Sequence, residues 1–185
     1  MPQIEVHAPK GAISPEAKPK LIEGLTKLLL KMEGAPETPE SLAITLCYVR
    51  EYAPEDIAVG GKPLRFPIYR VVLTVPEGVT GFHGPAMKER REAMVRKTSE
   101  LVLAAEGAEP SHANLGRVWV QIVEIADGFW GGFGEIAELM DIATYMGAPI
   151  VRNPTERGKR SRAGFVELNA QADAGKFAPL LAATE

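Results

Sequence analysis

An internal repeat constrains the fold of this chain more than any other feature of its sequence. Three pairs of positions share one offset of 73 residues. The pairs are Gly34 and Gly107, Glu51 and Glu124, and Ile57 and Trp130. Each pair joins corresponding features of two segments, namely a helix end, a strand end and a turn. A repeat of this kind predicts two copies of one supersecondary unit that share a core.

Each unit has the pattern of a strand, a helix, a second strand and a turn. The predicted elements are, in order, a strand (3–8), a helix (15–33), a strand (42–51), a strand (68–75), a helix (85–106) and a strand (117–124). A pair of glycines is expected to form the turn after each second strand, at Gly60-Gly61 and at Gly131-Gly132.

Both predicted helices carry an apolar stripe at helical spacing, which is typical of a helix that packs on a sheet. The first stripe consists of Leu21, Leu25, Leu28, Leu29 and Met32, and the second of Met87, Met94, Val95, Leu101, Val102 and Ala105. Each helix is followed by glycine with proline beyond it, at Gly34 and at Gly107, which predicts the helix end. Ser14 is the expected N-cap of the first helix, and Pro19 places the regular helix start near itself.

Two strand–helix–strand units predict an α/β fold with a four-stranded sheet and two helices on one face. A helical crossover joins strands that run parallel and are connected right-handedly. The other face of the sheet is then open, and we expect oligomerisation to cover it. The expected organisation is a first unit at 1–66, a second at 67–135 and a C-terminal extension at 136–185.

The extension is predicted to contain a helix at about 133–146 and then a basic arm at 152–162, which carries five cations. A solvated loop is the simplest interpretation of such an arm. The alternative is an arm that wraps a neighbouring subunit and brings a cation to an acidic substrate. Nucleic-acid binding is disfavoured because aromatic residues are not interleaved with the cations.

Composition excludes several classes of protein. A net charge of −3 over 185 residues gives no nucleic-acid or membrane signal, and no run of apolar residues is long enough to span a bilayer. The single Cys47 excludes a disulfide framework, and we expect a cytoplasmic location. His7, His83 and His112 lack the spacing of metal ligands. His83 lies in a glycine-flanked loop that is expected either to be exposed or to lie over a pocket.

The chain begins with Met1-Pro2, and a strand pattern follows directly. Removal of Met1 before a small residue would leave Pro2 with a free secondary amine. An N-terminal amine titrates about two pH units below lysine, and burial in an apolar pocket lowers its pKa further. Such an amine can act as a base or an acid near neutral pH. The alternative is a disordered and inert terminus.

Several stretches resemble the tautomerase superfamily. The strand that starts at Pro2 and the segment 51–64 are similar to relatives of 4-oxalocrotonate tautomerase. The strand at 71–75 and the segment 118–134 are similar to malonate semialdehyde decarboxylase. The resemblance covers roughly residues 2–140. It implies a homotrimer and a cofactor-independent enzyme in which Pro2 is the catalytic residue.

The resemblance also implies one working site and one vestigial site in each chain. Pro67, the counterpart of Pro2, lies inside the chain and carries an amide nitrogen, which cannot act as a base.

The chain departs from the family pattern where the family has charged residues. Arginines of the family correspond here to Gly11-Ala12-Ile13, Leu46 and Trp119. An arginine pair of the family corresponds to the segment Val75-Pro76-Glu77-Gly78-Val79, which carries no cation. The turn aromatic corresponds to Ile57 and Trp130, and the water-activating glutamate of the dehalogenase branch falls near Gly132. These differences argue against assigning the dehalogenase or decarboxylase activity by name. Trp119 and Trp130 are expected in the core or at a trimer interface.

Replacement substrate-binding residues follow from strand alternation, because side chains two apart share a face. On this basis Tyr48 and Arg50 are candidates in one strand, and Arg117 and Gln121 in another. Arg70 is a further candidate because it lies inside an apolar strand, where a buried arginine normally needs a partner. Arginine suits a carboxylate because its guanidinium donates two parallel hydrogen bonds. The alternative for each arginine is an ion pair at the surface or between subunits, and for Tyr48 a position at the sheet edge.

The resulting hypothesis is a cofactor-free tautomerase or isomerase in which Pro2 is the general base for a small 2-oxo or enol carboxylate. The alternatives are a proline-dependent hydratase, dehalogenase or decarboxylase, and a trimeric binding protein that has lost its chemistry. Apolar strand residues and nearby arginines are expected to lower the pKa of Pro2, whereas Glu5 or Glu51 would oppose this. The apolar lining is expected from Ile4, Val6 and Val71.

Overall fold

The computed structural model describes residues 2–77 and 85–177, with the side chains of 85–87 left aside. His83 and its loop, for which we made a prediction from sequence, lie outside these residues. The helices are α1 (Ala17–Glu33), α2 (Pro39–Ala43), α3 (Pro85–Glu106), α4 (His112–Leu115), α5 (Leu139–Met146) and α6 (Glu156–Asp173). The strands are β1 (Gln3–Pro9), β2 (Leu46–Tyr52), β3 (Ala58–Val59), β4 (Lys62–Pro63), β5 (Tyr69–Pro76), β6 (Val118–Ile125), β7 (Trp130–Gly132) and β8 (Glu135–Ala137).

The main sheet confirms the predicted fold class. Its strand order is β2-β1-β5-β6. Strands are parallel within each unit, and the central pair β1 and β5 is antiparallel. Alternate residues of the central strands, such as Ile4, Val6 and Val71, are fully buried and pack with side chains of α1 and α3. The two units therefore share one core between the sheet and the two long helices.

Helix α1 ends where the sequence predicts and starts two residues later. The Ser14 hydroxyl accepts a hydrogen bond from the Ala17 backbone N–H (3.2 Å), and Pro19 lies in the first turn, where no helical hydrogen bond is lost. Gly34 follows the helix with φ of 71° and closes its carboxyl end.

Among the described residues, none of the helices has the length and apolar character needed to cross a bilayer.

The turns after the second strands correct one prediction. Gly60 and Gly61 form the two-residue turn of the β3–β4 hairpin, as expected, and both have positive φ. In the second unit the turn is Phe133-Gly134, not Gly131-Gly132, because Gly132 pairs with Glu135 in the β7–β8 hairpin.

The predicted helix at 133–146 is therefore wrong over its first six residues. The positive φ of Phe133, 55°, is incompatible with a right-handed helix. Helix α5 begins at Leu139 instead, where Glu138 and Asp141 form a capping box.

From Glu156 onward the basic arm forms a helix, α6, which corrects the predicted solvated loop. Thr155 caps α6, and Gly158 is buried against α5, where an added Cβ would lie 2.5 Å from Cβ of Thr144. Cations of the arm pair with acids of their own chain. Arg157 lies 3.1 Å from Glu135, and Arg162 pairs with Glu40. These contacts join α6 to α5, to the second hairpin and to α2.

The sheet face opposite α1 and α3 carries exposed apolar side chains. Trp119 is 68% exposed, Tyr48 55% and Val123 40%. Trp130, by contrast, is buried in a second apolar cluster together with Ile44, Ile142 and Tyr145. Of the two tryptophans, Trp130 is thus a core residue, whereas Trp119 lies on the open face.

Candidate active site

A cavity of about 440 Å³ lies at the end of the sheet where β1 begins and β5 ends, and Pro2 lines it. Pro2 is buried, and its carbonyl oxygen accepts a hydrogen bond from the Leu46 N–H at 3.1 Å. Pro76, at the end of the antiparallel neighbour strand β5, lines the same cavity. The start of β1 is therefore held in place at an opening large enough for a small molecule.

The C-terminal extension forms one wall of this cavity. Helix α5 and the residues after it contribute apolar side chains, while the end of α1 forms the opposite side. The α5 residues concerned are Leu139, Met140, Ile142, Ala143 and Met146. Pro149 and Ile150 extend the same wall. The cavity thus suits a ligand with an apolar body.

Glu33, the last residue of α1, is the acidic group of this cavity. The residue as a whole is partly exposed, but its Oε1 oxygen is out of contact with solvent and has no hydrogen-bond partner among the described residues. Burial raises the pKa of Glu33 to about 8, although the positive charge of the chain's N-terminus acts in the opposite direction. The carboxyl group therefore keeps its proton at neutral pH.

Sequence reasoning missed Glu33, although a signal was present. An acid at the carboxyl end of a helix faces the negative end of the helix dipole, which is an unfavourable position. Glu33 also follows directly on the apolar stripe of α1.

Arg117 belongs to a structural ion pair at the opposite end of the sheet. Its Nη1 and Nη2 donate to Oε1 and Oε2 of Glu106, at 2.8 and 2.7 Å, and Nη1 also donates to the Pro67 carbonyl oxygen at 3.1 Å. The side chains of Arg117 and Glu106 are only 12% and 14% exposed. Both prongs of the guanidinium are occupied, so in one chain Arg117 is not available to a ligand at Pro2.

Arg70 and Gln121 lie on the open face of the sheet. Arg70 Nε donates to Gln121 Oε1 at 2.8 Å, and Arg70 Nη1 lies 3.5 Å from His7 Nε2. The β1–β5 register pairs Arg70 with His7, five residues along β1 from Pro2. At about 3.3 Å per residue this is a separation of about 17 Å.

Tyr48 and Arg50 also lie on the open face, where β2 pairs them with Glu5 and His7. They line a shallow depression at the sheet edge that does not include Pro2. The structure therefore does not bring the five predicted substrate-binding residues to the Pro2 cavity within one chain. Strand alternation predicted that Tyr48 shares a face with Arg50, and Arg117 with Gln121. The fold places these residues, and Arg70, away from the end of the sheet where β1 begins.

The expected neighbours of Pro2 also differ from the observed ones. Ile4, Val6 and Val71 are buried in the core instead of lining the cavity. Glu51 pairs with Lys18 at 2.6 Å, and Glu5 lies 3.4 Å from His7.

Metal and thiol chemistry have no support in the part of the chain that the structure describes. Within residues 2–77 and 85–177, no group of three His, Cys, Asp or Glu side chains is arranged to hold a metal ion. Burial raises the pKa of the Cys47 thiol to about 11, which makes it a poor nucleophile.

Comparison with known proteins gives matches among solved structures. No protein-family model matches the sequence, and no curated protein matches it. A fused 4-OT, solved as a wild-type asymmetric trimer, is 26% identical with a TM-score of 0.55, over 73% of this chain and 95% of that one. Pt0534, inactivated by 2-oxo-3-pentynoate, is 21% identical with a TM-score of 0.56, over 73% and 94%. A member of the cis-3-chloroacrylic acid dehalogenase family is 15% identical with a TM-score of 0.56, over 72% and 82%.

These structures and the observed sheet agree on one architecture. The matched region spans nearly the whole length of the fused 4-OT chain, and a four-stranded sheet with two strand–helix–strand units accounts for it. The chain therefore has the fold of the tautomerase superfamily, with two units fused in one polypeptide.

Proposed function

We propose that this protein is a cofactor-independent tautomerase in which Pro2, after removal of Met1, is the general base. The observation that carries the proposal is the position of Pro2 in the wall of a 440 Å³ apolar cavity. Apolar surroundings disfavour the cationic form of the amine, so Pro2 is neutral and can accept a proton. The fold, which this chain shares with a fused 4-OT, is consistent with such chemistry.

The proposed reaction moves one proton between carbon and oxygen of a small carbonyl compound. Pro2 takes a proton from the carbon next to the carbonyl group, and the enol forms as the carbonyl oxygen is protonated. The reverse sequence ketonises an enol. The cavity fixes the substrate so that this carbon lies next to the amine, which removes the entropic cost of the encounter.

We also propose that the protein assembles as a homotrimer through its open sheet face. In a single chain this face exposes the side chains of Trp119, Tyr48 and Val123. Burial of their apolar surface in an interface favours association. The fused 4-OT structures are trimers, which supports the same assembly here. Light scattering is expected to give three times the chain mass, and a monomer in dilute solution would contradict this assembly.

The test of the Pro2 mechanism is ketonisation of the enol of phenylpyruvate and of its methyl ester by wild type and Pro2→Ala. We expect the variant to lose at least about 100-fold in kcat, because a primary amine without the proline ring replaces the secondary amine that the cavity positions. Pro67→Ala is the matched control and should retain wild-type rates, because Pro67 carries no free amine. Mass spectrometry must show loss of Met1 in all three proteins. Equal rates for wild type and Pro2→Ala, or no turnover of either compound by the wild type, would overturn the proposal.

A further inference from the structure

We propose that Glu33 is a second catalytic residue of the Pro2 cavity, which protonates the carbonyl oxygen of a substrate that carries no negative charge. This inference rests on the proposed function, because Glu33 and Pro2 act on the same molecule. It adds the general acid of the reaction and predicts that the substrate is uncharged.

The first support is the state of the Glu33 side chain. Its Oε1 oxygen is buried and, among the described residues, unpartnered. The residue itself lines the cavity that Pro2 also lines. A buried polar oxygen without a partner costs about 1–3 kcal/mol. An incoming carbonyl or enol oxygen would supply the missing hydrogen bond.

The second support is the charge of the groups around Glu33. From β1 it is faced by Pro2, the amine of the processed chain, and from β5 by Pro76. The side chains that α5 and residues 148–150 contribute to the cavity are uncharged. Asp141 of α5 is directed away, toward Thr155, with 2.6 Å between their oxygens. No described cationic side chain lines the cavity. The positive charge of the chain's N-terminus favours the ionised form of Glu33, but burial has the larger effect and keeps the carboxyl protonated.

The third support comes from the same position of the second unit. Glu106 ends α3 as Glu33 ends α1, but Arg117 holds both of its oxygens. The acid at this helix end is therefore neutralised in one unit and left with its proton in the other.

The proposed step is balanced without any further reactant. The Pro2 nitrogen takes a proton from the α-carbon, and the electrons of that C–H bond form the C=C bond. The carbonyl π electrons move to oxygen, which takes the proton of the Glu33 carboxyl group. The products are the enol, a protonated Pro2 and an ionised Glu33. Transfer of the proton from Pro2 to Glu33 restores both groups.

The charge class of the substrate follows from the same surroundings. A substrate carboxylate would enter an apolar cavity that, among the described residues, offers an acid and no cation, and the desolvation of an unpaired charge costs several kcal/mol. A neutral ketone, aldehyde or ester avoids this cost. The cavity therefore favours uncharged carbonyl compounds over 2-oxo acids.

The test compares phenylpyruvate with its methyl ester in wild type, Glu33→Gln and Glu23→Gln, from pH 5.5 to pH 9. We expect the wild type to prefer the ester by at least 10-fold in kcat/KM and to lose activity above about pH 8, as Glu33 ionises. Glu33→Gln should lower kcat for the ester about 100-fold and abolish this alkaline loss. Glu23 is exposed on the same helix and pairs with Lys27, so Glu23→Gln should match the wild type. Preference for phenylpyruvate, or an unchanged kcat and pH profile in Glu33→Gln, would overturn the inference.

A second measurement does not depend on turnover. Pent-3-yn-2-one and 2-oxo-3-pentynoate differ by a carboxylate, and both can alkylate Pro2 by addition of its nitrogen to the alkyne. Mass spectrometry should show faster labelling of Pro2 by the neutral ketone in wild type, and a smaller difference between the two reagents in Glu33→Gln. Equal or faster labelling by the carboxylate would overturn the inference. A Pro2→Ala protein that is as active as wild type would instead overturn the proposed function itself.

Discussion

Glu33 and Glu106 occupy the same place in the two units, at the last residue of α1 and of α3, 73 positions apart. Glu106 is held by Arg117 through two hydrogen bonds. The residue 73 positions before Arg117 is Ile44, which is buried in the apolar cluster around Trp130. Glu33 therefore has no arginine to pair with at the equivalent position, and it lines the Pro2 cavity.

The difference between the two sheet ends shows how one repeated unit supports two roles. At the end of the sheet where β5 begins, Pro67 lies inside the chain and carries no free amine. Glu106 is paired with Arg117 there, so neither Pro67 nor Glu106 is free to react. At the first end Pro2 would carry a free amine after removal of Met1, and burial keeps the proton on Glu33. Removing one partner of a buried bidentate pair is destabilising because it leaves the other charge uncompensated, whereas a buried acid without a partner itself costs stability. The unpaired one is thus the candidate for chemistry.

The largest expected effect on stability comes from removing the ion pair between Glu106 and Arg117. Glu106→Gln should lower the free energy of unfolding by about 2–3 kcal/mol, because it leaves the mostly buried Arg117 guanidinium without its counter-charge. Chemical denaturation at pH 7 measures this effect. The matching Glu33→Gln variant should not lose stability at pH 7, because it breaks no ion pair among the described residues and removes the cost of keeping a buried carboxyl protonated. Equal losses in the two variants would remove the contrast between the ends.

The next largest effect is a pH dependence of the free energy of unfolding, which we expect to arise from Glu33. Burial raises the pKa of Glu33 from its ordinary 4.5 to about 8, so the folded chain binds this proton more tightly than the unfolded chain. The stability that Glu33 contributes is fully present below pH 4.5 and is lost as the pH rises toward 8. Between pH 5 and pH 7, the free energy of unfolding of wild type should fall by about 1 kcal/mol per pH unit relative to Glu33→Gln.

Urea denaturation of both proteins across this range measures the difference between them. Other titrating groups change both curves alike and cancel in the comparison. Parallel curves from pH 5 to pH 8 would show that Glu33 titrates normally in the folded state.

The smallest expected effect is a gain of stability at the unpaired end. Glu33→Leu should raise the free energy of unfolding at pH 7 by about 1 kcal/mol, because it removes a buried oxygen without a partner and adds apolar contact with α5. The same variant should lose activity, since a residue kept for function is not the most stable choice. Thermal denaturation beside the ketonisation assay checks both outcomes, and a destabilised Glu33→Leu would mean that the carboxyl has a structural partner.

The repeat predicted most of the fold because its signals are local. The apolar stripes of α1 and α3 and the glycine after each helix depend on neighbours within a few turns, and the structure retains them at nearly the predicted positions. The errors arose where a local signal was overridden. Phe133 takes a positive φ that glycine usually takes, although the offset from Gly60 indicates this turn. The charges of the basic arm obscured a helix that packs through Gly158.

The sequence by itself determined the two-unit sheet, the position of Pro2 at the start of its first strand and the inability of Pro67 to act as a base. Periodicity, chain position and covalent chemistry are sufficient for these conclusions. Only the tertiary structure decided what surrounds Pro2. Helix α5 lies more than 130 residues away along the chain and forms the cavity wall, and the strand register sends Arg70 to a different part of the sheet. The charge state of a carboxyl group such as Glu33 depends on the burial and partners that folding creates, and sequence spacing does not reveal them.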